Sequence, residues 1–253
     1  MVDSSGSIRD SNPPDASYDN WDLLLRFIER MVDDLYIDNG YVRIGVVKFA
    51  TNAETEFHLN AFSTKSAMKS AIRQLRYLGG NTNTAAGISL MHHTEFTAQN
   101  GDRPNAPNIA IIVTDGNSTR DKANTIPYAE AARRADIEIY TVGITDRINV
   151  VELRSMASLP GRENENYYVA KNFNSLTSVA DKLVSYACGA KGKNNAPGST
   201  HTHTNARTHA RARAHTHTHT HTHTHTPNLG LTFPHFLLAP EWTGAIRVAT
   251  RLR

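Results

Sequence analysis

From Asn108 to Gly116 the chain reads Asn-Ile-Ala-Ile-Ile-Val-Thr-Asp-Gly, an unbroken apolar run that ends in a hydroxyl, a carboxylate and a glycine. A short apolar run without alternation suits a strand covered on both faces, as in a parallel sheet. Parallel strands cannot be joined by tight hairpins and need long crossovers, usually helices. This one segment therefore implies strands and helices in alternation. It also implies that the carboxylate of Asp115 stands at the carboxyl end of a buried strand.

The rest of the chain supplies that alternation. Trp21, Leu24, Leu25, Ile28, Val32 and Leu35 recur at helical spacing, with Ser17 or Asp19 as the cap and Asn39-Gly40 as the stop. Residues 8–18 hold Pro13 and Pro14 and read as a loop. Val and Ile enrichment predicts a strand over 41–50, and the alternation over 54–59 an antiparallel edge strand beside it. Helices are expected over 63–78, with Met68, Ile72 and Leu75 inward, and over 84–96, then a polar loop over 97–107. After the 108–115 strand come a helix over 126–135, a strand over 137–144, a short helix over 150–157, a strand over 167–170 and a closing helix over 173–187. The expected fold class is α/β: a doubly wound, mostly parallel sheet with one antiparallel edge strand and helices on both faces.

In such sheets ligands bind at the carboxyl ends of the strands, where the strand order reverses. Three segments carry suitable chemistry. Asp3-Ser4-Ser5-Gly6-Ser7 places one carboxylate and two flanking hydroxyls on a loop that Gly6 lets turn tightly. Gly79-Gly80-Asn81-Thr82-Asn83-Thr84 is turn-rich with a hydroxyl at its centre, and Thr114-Asp115-Gly116 closes the apolar strand. Carboxylates and hydroxyls are hard oxygen ligands, the kind that Mg²⁺ prefers.

Together these segments resemble the von Willebrand factor type A domain, over residues 1–188. The stretches 142–144, 152–158 and 173–176 look closest to the matrilins and to the A domains of non-fibrillar collagens. The resemblance implies a metal-ion-dependent adhesion site. In it Ser5, Ser7 and Thr82 offer hydroxyl oxygens, and Asp3 and Asp115 bind directly or through water. The ion is expected to be Mg²⁺, with Mn²⁺ or Ca²⁺ as alternatives, and its last position is left for an acidic residue of a partner. That partner is expected to be an extracellular-matrix or cell-surface protein, and the chain an extracellular module of a larger multidomain parent. In the family an apolar strand leads into the Asp-x-Ser-x-Ser loop in mid-sheet. Here only Met1 and Val2 precede Asp3, so the domain reads as truncated, with its first strand largely missing and its stability marginal. Matrilin-type domains often carry a flanking cysteine on each side, and Cys188, the one cysteine here, stands where the second belongs.

The formal net charge of +3 hides two unlike parts. Residues 1–188 carry 19 Lys and Arg against 23 Asp and Glu, whereas residues 189–253 carry 8 against 1. The basic balance belongs to the tail and makes no case for nucleic-acid or membrane-surface binding by the folded part. No stretch approaches the roughly 18 apolar residues of a membrane span, and an acidic residue at position 3 does not suit a signal peptide. Residues 189–226 form a low-complexity His/Thr/Ala/Arg tract expected to be disordered, the product of a translated simple repeat or, as the sharper alternative, a His-rich metal tract. Residues 227–253 carry no assignable pattern.

Other candidates are bland. His92 and His93 are adjacent in a helix and are expected to point apart, and His58 sits on the edge strand. No Gly-x-Ser-x-Gly elbow accompanies the serines, so the chain is not read as an enzyme. Asn117-Ser118-Thr119 is a glycosylation acceptor pattern beside Asp115. The expected function is divalent-cation-dependent protein binding. Its rivals are a structural matrix-assembly domain with an idle metal site, and a defective fragment without a stable fold.

Overall fold

The computed structural model describes residues 1–12, 19–158 and 165–189. The expectations for the low-complexity tract and the segment after it lie outside the described residues.

Six strands form one sheet: β1 (Val2–Asp3), β2 (Val46–Phe49), β3 (Ala53–Phe57), β4 (Asn108–Thr114), β5 (Ile137–Ile144) and β6 (Tyr167–Ala170). Their spatial order is β3-β2-β1-β4-β5-β6. All neighbours run parallel except the edge pair β2 and β3. The order reverses at β1, so the crevice between β1 and β4 is the switch point.

The apolar run of β4 is explained by its neighbours. Ile109, Ile111 and Val113 pack on one face with Trp21, Phe27, Ile28 and Leu183, while Ala110 and Ile112 pack on the other with Ile88, Ala129 and Leu153. Successive side chains point to opposite faces, and both faces are covered. The first face carries α2 (Asn20–Asp33), α3 (Lys65–Arg73) and α7 (Leu176–Gly189). The second carries α4 (Thr84–Leu90), α5 (Lys122–Arg134) and α6 (Val150–Met156). Asp19 caps α2 by accepting from Trp21 N–H at 3.0 Å, and the Trp21 indole donates to Leu75 O at 3.1 Å.

Several boundaries differ from the sequence expectation. A short helix, α1 (Gly6–Asp10), occupies part of what reads as loop. It is a single turn and a half, too short for periodicity to show. The strand expected over 41–50 forms ladder pairs only at Val46–Phe49. Residues 42–45 flank β1's short end and have no central strand beside them. Helix α3 stops at Arg73, so Leu75 is buried from the loop after it. Helix α5 starts at Lys122, upstream of Pro127, whose missing N–H costs one bond near the helix start without breaking it. The helix after Asn83 widens to a π-turn at Met91–Glu95, and there the rings of His92 and His93 stack at 4.3 Å rather than diverge. His58 lies just past β3 and its Nδ1 is 3.1 Å from Glu95 Oε2, a buried carboxylate of that π-turn.

Although β1 is only two residues long, it is central. Val2 aligns with Lys48 on one side and Val113 on the other. Ser4 N–H donates to Phe49 O at 2.8 Å, and Val113 N–H to Met1 O at 3.1 Å. Beyond Met1, between the approach to β2 and the start of β4, lies a cavity of ≈ 380 Å³ lined by Val42, Ile44, Val46, Ile109, Ile111 and Met31. Covering the apolar surface that lines it would be favourable, at about 25 cal/mol per Å² removed from water. An extension of about six apolar residues ahead of Met1, the length of an average strand, is expected to fill it and raise the unfolding free energy by several kcal/mol. Urea melts of the two forms, followed by Trp21 fluorescence, check this; equal midpoints and slopes would show that the cavity is energetically silent.

Candidate metal centre

The site is built on β1 and β4. Asp3 ends β1 with no solvent exposure, and both its oxygens are held. Ser5 N–H donates to Oδ1 at 2.8 Å, and the Thr114 hydroxyl donates to Oδ2 at 2.6 Å. Asp115 follows β4 directly and is also buried. The Ser7 hydroxyl donates to Asp115 Oδ1 at 2.6 Å, and Ser5 Oγ lies 3.1 Å from Ser7 Oγ. Carboxylate, hydroxyl, hydroxyl and carboxylate thus form a chain across the switch point.

A second loop clamps the first. Gly79 N–H donates to Ser4 O at 2.8 Å, Gly6 N–H to Gly80 O at 2.9 Å, and Leu78 N–H to Ser4 Oγ at 2.8 Å. The Tyr77 hydroxyl lies 2.8 Å from Ser5 O and 3.1 Å from Gly6 O, its donor directed at that pair of carbonyls. Gly79 and Gly80 have φ of +76° and +87°, a backbone region that glycine enters without strain. At Gly6 a Cβ would come within 3.3 Å of Gly80 O, so the close approach of the two loops depends on bare backbone.

Thr82 stands on the same edge as Asp115. Its N–H donates to Thr119 Oγ1 at 3.0 Å, and its carbonyl accepts from the N–H groups of Thr119 and Arg120 at 2.8 and 3.1 Å. The loop that follows Asp115 therefore straps Thr82 in place. Asn83 next to it caps α4, accepting from Ala86 N–H at 3.0 Å. Among the described residues the Thr82 hydroxyl has no hydrogen-bond partner, so its lone pairs are available. The structure links Asp3, Ser5, Ser7 and Asp115 side chain to side chain or through one backbone amide, and brings Thr82 alongside through its backbone.

Thr114, Ser11, Tyr77 and Thr119 escape the sequence reading. The Ser11 hydroxyl, which also meets Ser7 O, lies 3.4 Å from Asp115 Oδ2. Thr114 was signalled by its place before the carboxylate at a strand end. The other three are brought in by folding across 72 and 37 residues or by the unforeseen helix α1.

The electrostatics follow from burial. Removal from water pushes the Asp115 carboxyl up to about 6, and the nearby charge of Asp3 adds to the rise. Burial likewise raises Asp3, against the lowering effect of the Thr114 and Ser5 hydrogen bonds. Neither carboxylate has a Lys or Arg partner among the described residues. Two adjacent buried acids without a counter-charge disfavour joint ionisation, and a divalent cation would remove that penalty. Among the described residues no group of three or more His, Cys, Asp or Glu side chains forms a metal cluster. Any ion here would be held by two carboxylates with hydroxyls, a hard oxygen set that fits Mg²⁺ and similar cations.

A doubly wound sheet with paired acids and a fringe of hydroxyls at its switch point defines an α/β domain with an oxygen-lined centre at its carboxyl edge. The chain belongs to the von Willebrand factor type A domain family, which it matches over residues 1–182. It is 29% identical over 188 residues to human Matrilin-1, covering 74% of this chain and 35% of that protein. It is 30% identical over 200 residues to the transmembrane cell adhesion receptor mua-3 of Caenorhabditis elegans, covering 78% of this chain and 5% of that protein. The chain thus spans about a third or less of the length of these curated relatives. Among solved structures, proximal thread matrix protein 1 from the mussel byssus superposes with a TM-score of 0.67 at 25% identity, covering 74% of this chain and 47% of that one. A further structure of that mussel protein, at 24% identity and a TM-score of 0.66, has a zinc-occupied MIDAS motif.

The raised Asp115 carboxyl has a signed consequence. In metal-free protein the folded state holds this proton more tightly than the unfolded chain does. Its contribution therefore favours folding below the ordinary value of 3.8 and is lost as pH rises to about 6. Carbon-detected NMR titration of the Asp115 carboxyl is expected to give a midpoint near 6 in chelator and a much lower one in saturating Mg²⁺. A chelator midpoint at the ordinary carboxylate value would remove the electrostatic case for a cation.

Proposed function

We propose that this domain is a divalent-cation-dependent protein-binding module of the extracellular matrix or cell surface. The observation that carries the reading is the pairing of two buried, uncompensated carboxylates, Asp3 and Asp115, joined by Ser7. In the proposed arrangement Ser5, Ser7 and Thr82 present hydroxyl oxygens, and the two carboxylates hold the ion directly or through water. Mg²⁺ is the proposed occupant, with Mn²⁺ or Ca²⁺ able to use the same oxygens. The ion would supply a concentrated positive charge at the surface, and an acidic side chain of the partner would complete its shell.

Kinship supports the matrix setting. The curated relatives are matrilins and a cell adhesion receptor, and the structural neighbour is a thread matrix protein. Among the described residues no helix is long and apolar enough to cross a membrane. Against a hydrolytic role, the site serines bond to each other and to Asp115, and no imidazole is bonded to either of them among the described residues. The ion acts in this proposal as a bridge and not as a catalyst.

Asp3→Ala and Asp115→Ala are each expected to weaken Mg²⁺ binding beyond the ~10–100-fold that loss of a supporting outer group costs. Asp115→Asn keeps the shape, removes the buried charge, and is expected to leave metal-free stability unchanged or raised while abolishing the Mg²⁺-induced rise in melting temperature. Calorimetry and thermal shift read both effects. Unchanged Mg²⁺ affinity in the two alanine variants would sink the site assignment. Matrix adhesion that persists in chelator would instead favour a structural assembly role through other surfaces, with the metal site idle.

A further inference from the structure

The loop that follows Asp115 carries Asn117-Ser118-Thr119, the sole Asn-x-Ser/Thr triplet in the sequence. Neither Ser118 nor the following Arg120 is proline, so the triplet is competent as an acceptor for N-linked glycan. Its three residues are treated very differently by the fold. Ser118 is buried at 2% exposure, with its N–H donating to Glu152 Oε1 at 3.0 Å and its hydroxyl accepting from Thr125 Oγ1 at 3.1 Å. Thr119 is fixed by its exchange with Thr82. Asn117 is exposed, in irregular backbone, and its side-chain amide makes no hydrogen bond to any described residue. A glycan on its Nδ2 would disrupt no contact of the described structure.

The position also matters for the cation site. Gly116, one residue earlier, is so close to the site that a Cβ there would sit 3.5 Å from Ser7 Oγ. The Asn117 backbone is thus the rim of the centre, and a sugar chain anchored there would stand beside its mouth. We propose that Asn117 is an N-glycan acceptor, and that the attached glycan screens the cation site from macromolecular partners while leaving it open to the ion. The first half rests on the extracellular setting proposed above, and the second on the cation-site reading. In the transfer step Nδ2 forms a bond to the anomeric carbon of a lipid-linked oligosaccharide. The bond from that carbon to the lipid pyrophosphate breaks, and the amide gives up one proton. No oxidation or reduction is involved.

The test secretes the full chain from a eukaryotic host behind a cleavable leader, beside Asn117→Gln and Thr119→Ser, which keeps the triplet competent. The wild type and Thr119→Ser are expected to carry one glycan by intact mass, removed by peptide-N-glycosidase, and Asn117→Gln none. Mg²⁺ affinity by calorimetry is expected to match between glycosylated wild type and Asn117→Gln. Mg²⁺-dependent capture on immobilised poly-glutamate is expected to be several-fold stronger for Asn117→Gln and for enzymatically deglycosylated wild type. Secreted wild type without glycan would overturn the acceptor assignment. Equal capture by glycosylated and bare forms would overturn the screening role. Absence of Mg²⁺ binding in every form would overturn the cation reading, and screening with it, while the intact mass still decides the acceptor assignment.

Discussion

Two like charges are buried at the ends of adjacent parallel strands, and much of the structure around them serves to hold that arrangement. Asp3 and Asp115 could each relieve the cost by protonation, by a basic partner or by a cation. The fold provides no basic partner among the described residues. It provides donors instead: the Ser5 amide and Thr114 hydroxyl for Asp3, and the Ser7 hydroxyl for Asp115. These hydrogen bonds orient the oxygens and partly offset burial, yet Asp115 still sits at about 6. The centre is therefore preorganised and underneutralised together.

Preorganisation depends on backbone as much as on side chains. The Asp-x-Ser-x-Ser loop is clamped by Leu78, Gly79 and Gly80, and Thr82 is clamped by the loop that leaves β4. Three separate segments are thus locked to one another by amide-to-carbonyl bonds before any ion is considered. Arg9 extends the clamp, its guanidinium 4.3 Å above the Tyr77 ring and its Nη2 2.6 Å from Asp19, the cap of α2. This tie links the site to the helix that covers one face of the sheet. A different device serves the outer edge. The buried Lys48 of β2 reaches the carboxylates of Glu54 and Glu56 on β3 and donates to Arg76 O at 2.7 Å. These contacts tie the edge strand β3 to β2.

The central strand of the same architecture is its shortest. β1 contributes two residues where its neighbour β4 contributes seven. Both of those residues are used, Val2 for packing and Asp3 for the site, so the strand retains its functional end. Beside its other end lies a cavity between the approach to β2 and the start of β4. The site and the stability of the sheet are thus separable in principle, since the hydrogen bonds that orient Asp3 come from Ser5 and Thr114 and not from residues beside the cavity.

The sequence by itself determined the order and kind of the main elements. Strands β5 and β6 fall on the residues that their Val, Ile and Tyr content indicated, and β3 is the antiparallel edge. It also placed Asp3 and Asp115 at one edge, because a carboxylate after an apolar strand stands at the sheet's carboxyl end, whereas Ser5, Ser7 and Thr82 were indicated only by the family resemblance. His92 and His93 stack rather than diverge because the π-turn does not keep regular helical spacing. Only the tertiary structure decided that Ser7 bonds to Asp115 across 108 residues, that Tyr77, Ser11, Thr114 and Thr119 support the centre, and that Asn117 stands free on its rim. Periodicity and composition report which face of an element is apolar. Which polar groups meet, and how far burial shifts their charge, depends on distances between segments remote in the chain, and those exist only once the sheet has closed around them.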